Sequence, residues 1–323
     1  MVTTLVYRDH KLIAQDPPPD ELVNLRAEPG IMLWVDLAAP TEDEIKQILE
    51  KLFAFHPLAI EDCVSDNPFP KLEPYDDHIY LVMHAIDAAS AAELKTQELD
   101  LFLSKNFLVT YHTQSLAAVT ATQEYYLRTP ATLVRGPDRF AHAILDRMVE
   151  AYKPALEALR HEIDHIEEGV LHEISSDELF PKVVALRKQL SRLRGLVRSQ
   201  REIAAELAEG KSYFIRSAVT PYLRDLTEEL GRIETQTQAW AEQLIISFRI
   251  YLNKSSSVAN AGIRVLTAIT ALTFPALLVG GWYGMNYQYM HELGWSLGYP
   301  VAFALMLAGT YGTYLFLRRR KWL

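Results

Sequence analysis

A chain of 323 residues, 49% hydrophobic and 23% charged, is long enough for one soluble domain of ordinary size and something beyond it. Its formal net charge of -9 argues against general nucleic-acid binding, whereas an acidic surface attracts metal cations or basic partners. The single cysteine, Cys63, excludes an intrachain disulfide, and no secretory signal opens the chain, so the N-terminal part is expected in the cytosol.

Strand-like runs alternate with helical patterns in the first part of the chain. Met32 to Leu37, His78 to Ile86, Leu99 to Leu103 and Phe107 to His112 read as strands, with Ser104-Lys105-Asn106 as a hairpin turn between the last two. Thr41 followed by Glu44 predicts a helix with Thr41 as N-cap and a capping box closed by Glu44. Pro17-Pro18-Pro19 and Arg135-Gly136-Pro137 are breaker clusters, and the second sets a soft boundary after a cytosolic α/β domain of residues 1–136.

From Asp138 onward every clear pattern is helical. Acidic residues between Glu157 and Glu178 mark one helix and basic residues between Lys182 and Arg201 the next, which suits an antiparallel hairpin with Leu186, Leu190, Leu193 and Val197 as its seam. Thr220-Pro221 then supplies an N-cap and a first-turn proline for the longest helix. Leu223, Leu226, Leu230, Ile233, Thr237, Trp240, Leu244, Ser247 and Tyr251 form a heptad seam along it, which calls for partner helices. Continuous from Pro221 to Tyr283, the helix would be roughly 90 Å long at ~1.5 Å per residue, a stalk running into a membrane. Hairpin and stalk together take residues 137–262.

No Asp, Glu, Lys or Arg occurs from Val265 to Met290 or from Leu293 to Leu317, and each stretch exceeds the ~20 residues that span a bilayer. Transmembrane helices are expected at about 263–284 and 297–317, within a membrane hairpin of residues 263–323. Lys254 and Arg264 flank the first span, Arg318-Arg319-Arg320-Lys321 follow the second, and the connecting loop has neither Lys nor Arg. The positive-inside rule therefore puts both termini in the cytoplasm, in a multi-pass protein of the inner cell membrane. Two helices cannot enclose a water-filled path, so a pore needs several subunits. The first span, with Thr267, Thr270, Thr273 and the small Gly280, Gly281 and Gly284, is the better lining; the second faces lipid.

Tyr283-Gly284-Met285-Asn286 ends the first span, Gly298-Tyr299-Pro300 leads into the second, and Trp322-Leu323 closes the basic tail. This arrangement closely resembles the CorA family of magnesium and cobalt transporters. The segments His56-Pro57-Leu58-x-Ile60-Glu61-Asp62, Pro70-Lys71-Leu72-Glu73 and Pro221 to Asp225 also look like that family, so the resemblance covers most of the chain. It implies an α+β protein with an N-terminal cytosolic α/β domain, a helical hairpin and long stalk, and two C-terminal transmembrane helices. It further implies a homopentamer with one central pore, through which Mg²⁺, and also Co²⁺ or Ni²⁺, enters down its electrochemical gradient under control of cytosolic Mg²⁺.

By matching positions, Gly284, Met285 and Asn286 would form the selectivity filter. Gly281, Leu277, Phe274 and Leu266 would form the pore wall or hydrophobic gate, and Asn260 an inner polar ring. Asp62, with Glu61 beside it, and Asp225 would make a regulatory metal site between neighbouring subunits, and Arg318, Arg319, Arg320 and Lys321 a basic ring. The implied partners are further copies of the chain, divalent cations and the lipid bilayer. Mg²⁺ is both cargo and regulator; neither an organic cofactor nor an enzymatic activity is expected.

The filter chemistry stands independently of the resemblance. Mg²⁺ keeps its water shell tightly and prefers oxygen, so neutral amide and backbone oxygens such as those at Asn286 suit the hydrated ion, whereas carboxylates would slow its release. Inward movement of two charges across ~100 mV gains about 4.6 kcal/mol, so no ATP site is required, and the chain has no Walker motif. Gln288 and His291 stand where family loops often have Glu and Pro, and Leu277 and Phe274 replace a polar position and a Met. Three alternatives stay open: a Zn²⁺-selective channel, a membrane-anchored metal sensor without conduction, and a zinc peptidase from His161-Glu162-x-x-His165.

Overall fold

The computed structural model describes every residue except 87–94, 129–134, 172–175, 287–290, 321 and 323. The chain divides into two compact units, Met1–Ile246 and Ser247–Leu323. In the first, β1 (Val2–Arg8), β2 (Lys11–Gln15), β3 (Ile31–Ala38), β4 (Lys71–Pro74), β5 (Ile79–Ile86), β6 (Thr96–Leu103) and β7 (Phe107–His112) form one sheet, ordered β2-β1-β3-β7-β6-β5-β4. Only the central β3 and β7 run parallel; every other neighbouring pair is antiparallel. The expected β6–β7 hairpin is present, with the Ser104 N–H donating to Phe107 O at 2.9 Å.

Helices cover both faces of the sheet, which is why its central strands read as nearly unbroken apolar runs. Leu33, Val35 and Leu37 point to one face, where α1 (Pro19–Ala27), the segment from α2 (Glu42–Ile45) into a π-helical Lys46–Leu52, and α3 (Pro57–Val64) close the core. Trp34 points the other way and stacks on Phe140 of α5 (Pro137–Glu150) at 5.2 Å, while Tyr126 of α4 (Ala117–Arg128) meets the same ring edge-on at 4.5 Å. On that face Asp36 is buried but paired: Thr110 Oγ1 at 2.5 Å, His112 Nε2 at 3.2 Å and Gln123 Nε2 at 3.0 Å surround its carboxylate.

Local signals explain the helix ends. Thr41 Oγ1 accepts from the Glu44 N–H at 3.3 Å while Glu44 Oε2 accepts from the Thr41 N–H at 2.8 Å, the full capping box. The proline cluster separates β2 from α1, with Pro18 as the N-cap and Pro19 as the first residue of the helix, a position that needs no N–H.

Beyond α5, α6 (Tyr152–Leu171) and α7 (Ser176–Ala208) form the expected hairpin, with Leu186, Leu190, Leu193 and Val197 all buried. The 64-residue α8 (Thr220–Tyr283) follows. It starts one residue earlier than the sequence suggests, because Val219 O accepts the Leu223 N–H at 3.2 Å and Thr220 already lies in the first turn. Its heptad seam finds partners within the same chain: Leu223, Leu226, Leu230, Thr237 and Leu244 are buried in one subunit. Flanking contacts hold that packing, with Arg201 Nε 3.2 Å from Glu234 and Gln243 Nε2 2.7 Å from Glu167 Oε1.

The second unit holds the end of α8, a 3₁₀ turn (His291–Gly294) and α9 (Gly298–Arg319). Both helices are long and apolar enough to cross a membrane, and only 6% and 11% of their apolar windows are buried, unlike the core helix of a soluble protein. They meet through small residues. A Cβ at Gly309 would stand 2.9 Å from Pro275 Cβ, and one at Gly280 would stand 3.8 Å from Met306 Cε.

Candidate functional site

The Gly284-Met285-Asn286 segment begins where α8 stops. The Gly284 N–H donates to Gly280 O at 2.9 Å, the last α-helical bond, and the Met285 N–H tightens to Trp282 O at 3.3 Å. A Cβ on Gly284 would lie 3.0 Å from the Gly280 carbonyl, so this turn favours glycine. Asn286 lies exposed just beyond that turn.

Asn260, Leu266, Phe274, Leu277 and Gly281 all belong to α8, and all are exposed in the single chain. At about 100° per residue, these five positions fall within one arc of about 120° on the helix. Thr267 and Thr270 lie on the same arc, and each hydroxyl donates to its own helix, to Ile263 O at 2.8 Å and to Leu266 O at 2.9 Å. Contacts with α9 fall outside this arc: Pro275 meets Gly309, Gly280 lies near Met306, and Ala268 is buried. Most of α8 in this stretch is exposed in one chain, Val265, Ile269 and Trp282 as well as the arc, and α9 covers only the strip at Ala268 and Pro275.

The acidic candidates lie in the first unit. Asp62 and Glu61 sit in α3 and Asp225 near the start of α8, where it is exposed. Asp62 is half-buried and already paired with the Lys71 ammonium, a contact the sequence reading missed although Lys71 is only nine residues further along. Burial by itself would lower the pKa of Lys71, but hydrogen bonds to Asp62 and Glu73 outweigh it and raise the value above the ordinary one. Nearby, burial raises the Glu98 carboxyl against two bonds from Asn67, and raises Asp100 well above the usual carboxylate range. Among the described residues, no group of three His, Cys, Asp or Glu comes together in one chain to hold a metal ion.

Arg318 and Arg319 fall in the last turn of α9 and Arg320 caps it, with its N–H donating to Phe316 O at 3.1 Å. Lys321 and Gln288 lie outside the described residues. His291 opens the 3₁₀ turn. His161, Glu162 and His165 are exposed on α6, and the third ligand a peptidase zinc needs is not found among the described residues.

Comparison with known proteins adds to this geometry. The model of a family described as CorA-like Mg2+ transporter protein matches residues 30–319. The chain is 28% identical to YfjQ of Bacillus subtilis, over 99% of this chain and 97% of that one. It is 26% identical to the cobalt/magnesium transport protein CorA of Thermotoga maritima, over 90% of this chain and 83% of that one. Among solved structures, the complete CorA magnesium transporter of Methanocaldococcus jannaschii has a similar fold, with a TM-score of 0.79 at 18% identity, covering 99% of this chain and 98% of that one.

Proposed function

The chain belongs to the CorA-like Mg2+ transporter family, and from that premise we propose that five copies assemble around one central path for Mg²⁺. Membership makes it a membrane transport protein and not an enzyme. The observation that carries the reading is the single face of α8 shared by Asn260, Leu266, Phe274, Leu277 and Gly281, with α9 meeting the helix away from it at Pro275 and Gly284-Met285-Asn286 at its end. Side by side in a ring, five such helices turn the arc inward. Leu266, Phe274 and Leu277 then make an apolar constriction, and Gly281 leaves room beneath the filter.

At the mouth, the Asn286 amide and the neighbouring carbonyls offer oxygens to the ion's water shell, so the ion need not be stripped to enter. Co²⁺ and Ni²⁺, hydrated ions of similar size and charge, pass by the same route. The basic residues flanking the spans support an orientation with both termini in the cytoplasm, at the inner membrane of the cell.

Cytosolic Mg²⁺ controls the path. Asp62 and Asp225 supply carboxylate oxygens, the donors a hard divalent ion takes. The described residues of one chain do not complete a site, which supports a half-site at Asp62 closed by Asp225 of a neighbouring copy. With the site filled the ring is held shut; when the ion leaves, the carboxylates repel and the ring loosens.

The test is uptake into proteoliposomes under an inward gradient, with Mg²⁺, Co²⁺, Ni²⁺ and Zn²⁺ in turn. Wild-type protein is expected to admit Mg²⁺ and Asn286→Ala to lose that uptake. Mg²⁺ uptake by Asn286→Ala equal to wild type would overturn the filter assignment.

A further inference from the structure

Lys71 sits where a regulatory ion would have to arrive. Its ammonium is paired with Asp62 Oδ2 and also lies 3.3 Å from Glu73 Oε1, with the Tyr80 ring 5.2 Å away. The Lys71 and Asp62 side chains are 26% and 34% exposed, so water and salt screen the pair only partly. Lys71 and Glu73 are two residues apart on β4 and project from the same face of the strand.

Asp62 is held in place by its backbone. Asn67 Nδ2 donates to Asp62 O at 2.6 Å, and the Asn67 N–H donates to Glu98 Oε2 at 2.8 Å. The charge of Lys71 is felt by Asp62 and Glu73 directly and by Glu98 and Asp100 at longer range.

We propose that Lys71 is a tethered competitor of the regulatory divalent ion, resting on Asp62 when the ion is absent and moving fully to Glu73 when the ion binds. The proposal rests on the reading of Asp62 as half of that ion site. With the ammonium in place the Asp62 charge is already neutralised, so an incoming ion must displace it, and the apparent affinity falls by the fraction of time Asp62 is free. Glu73 gives the displaced ammonium a second seat at once. That carboxylate is already oriented, because the Tyr75 hydroxyl donates to its Oε2 at 3.0 Å. The exchange gives up the bond to Asp62, keeps the charge-assisted bond to Glu73 and so leaves no bare cation. Its effect is to set the response to a higher ion concentration than two carboxylates alone would give.

Full-length protein in detergent, titrated with Mg²⁺ alone, tests this through protection from limited proteolysis, a readout that needs no transport. Lys71→Met is expected to move the midpoint to lower Mg²⁺ by about 1.5- to fivefold, the range a partly exposed ion pair supports. Lys71→Arg keeps the charge and should keep the wild-type midpoint. In an Asp62→Asn background, Lys71→Met should have no further effect. A Lys71→Met midpoint that is unchanged or higher, beside an Asp62→Asn midpoint that has risen, overturns the competitor and leaves the ion site standing. An Asp62→Asn midpoint equal to wild type overturns the site itself. Melting in EDTA checks that each variant is folded, and Lys71→Gln replaces Lys71→Met if the latter is not.

Discussion

Gly309→Ala places a methyl group 2.9 Å from Pro275 Cβ, where ordinary carbon contacts lie at roughly 3.5–4.0 Å. A proline ring cannot rotate aside, so α8 and α9 must part by about 0.7 Å or distort locally. Overpacking of this kind costs about 1–3 kcal/mol. Replacing glycine by alanine also favours any helix by about 1 kcal/mol, which hides part of the clash if Gly309→Ala is compared with wild type alone. Gly312 supplies the reference, since it lies three residues on in the same helix and a Cβ there meets nothing within 4 Å. Gly312→Ala carries the propensity gain without the clash, and the difference between the two variants isolates the packing. We expect Gly309→Ala to be less stable than Gly312→Ala by about 1–3 kcal/mol in denaturant titrations followed by tryptophan fluorescence in detergent, and Gly309→Leu to be worse. Equal stability of the two alanine variants would refute the close contact between Gly309 and Pro275.

Two further outcomes follow from the first unit. Thr41→Ala removes the side-chain half of the capping box and is expected to destabilise the protein by about 1 kcal/mol, read as a lower denaturation midpoint, with Thr41→Ser close to wild type. Burial lowers the pKa of His78, His84 and His142 from the ordinary 6.5, and a positive Arg192 pushes His84 further the same way. The unfolded chain therefore takes up protons first as pH falls, so this contribution is complete above about pH 6.5 and is lost below it. Melting temperature should be level between pH 7 and 8 and drop in more acid buffer. His84→Gln should make that drop shallower, and an unchanged slope would count against a neutral buried His84.

Much of this architecture is legible in the sequence where a signal is local. The Thr41–Glu44 box, the Ser104 to Asn106 turn and the uncharged spans each act over a few residues, and each is where the pattern puts it. What the sequence hides is which surface meets which. The heptad seam of α8 calls for partner helices, and α6 and α7 of the same chain flank it as far as Leu244; hydrophobic spacing states that a face is buried and not by whom. Asp36 has no visible partner in sequence; Gln123, 87 residues away, supplies one only after folding. The Lys71 pairing with Asp62 was hidden for the same reason, since it depends on how α3 lies against the edge strand. Pro17 to Pro19 separate β2 from α1 as a breaker cluster should, and the same prolines open the helix that follows.

The threonines of α8 carry a consequence for what can approach them. Thr267, Thr270 and Thr273 each give their hydroxyl proton to a backbone oxygen of their own helix. With that proton committed, each hydroxyl shows its surroundings only lone pairs. A visitor that brings positive charge, or a water whose hydrogens point outward from a cation, finds an acceptor there; an anion finds nothing to hold. In the proposed ring, such hydroxyls would favour a cation over an anion through groups that bear no net charge.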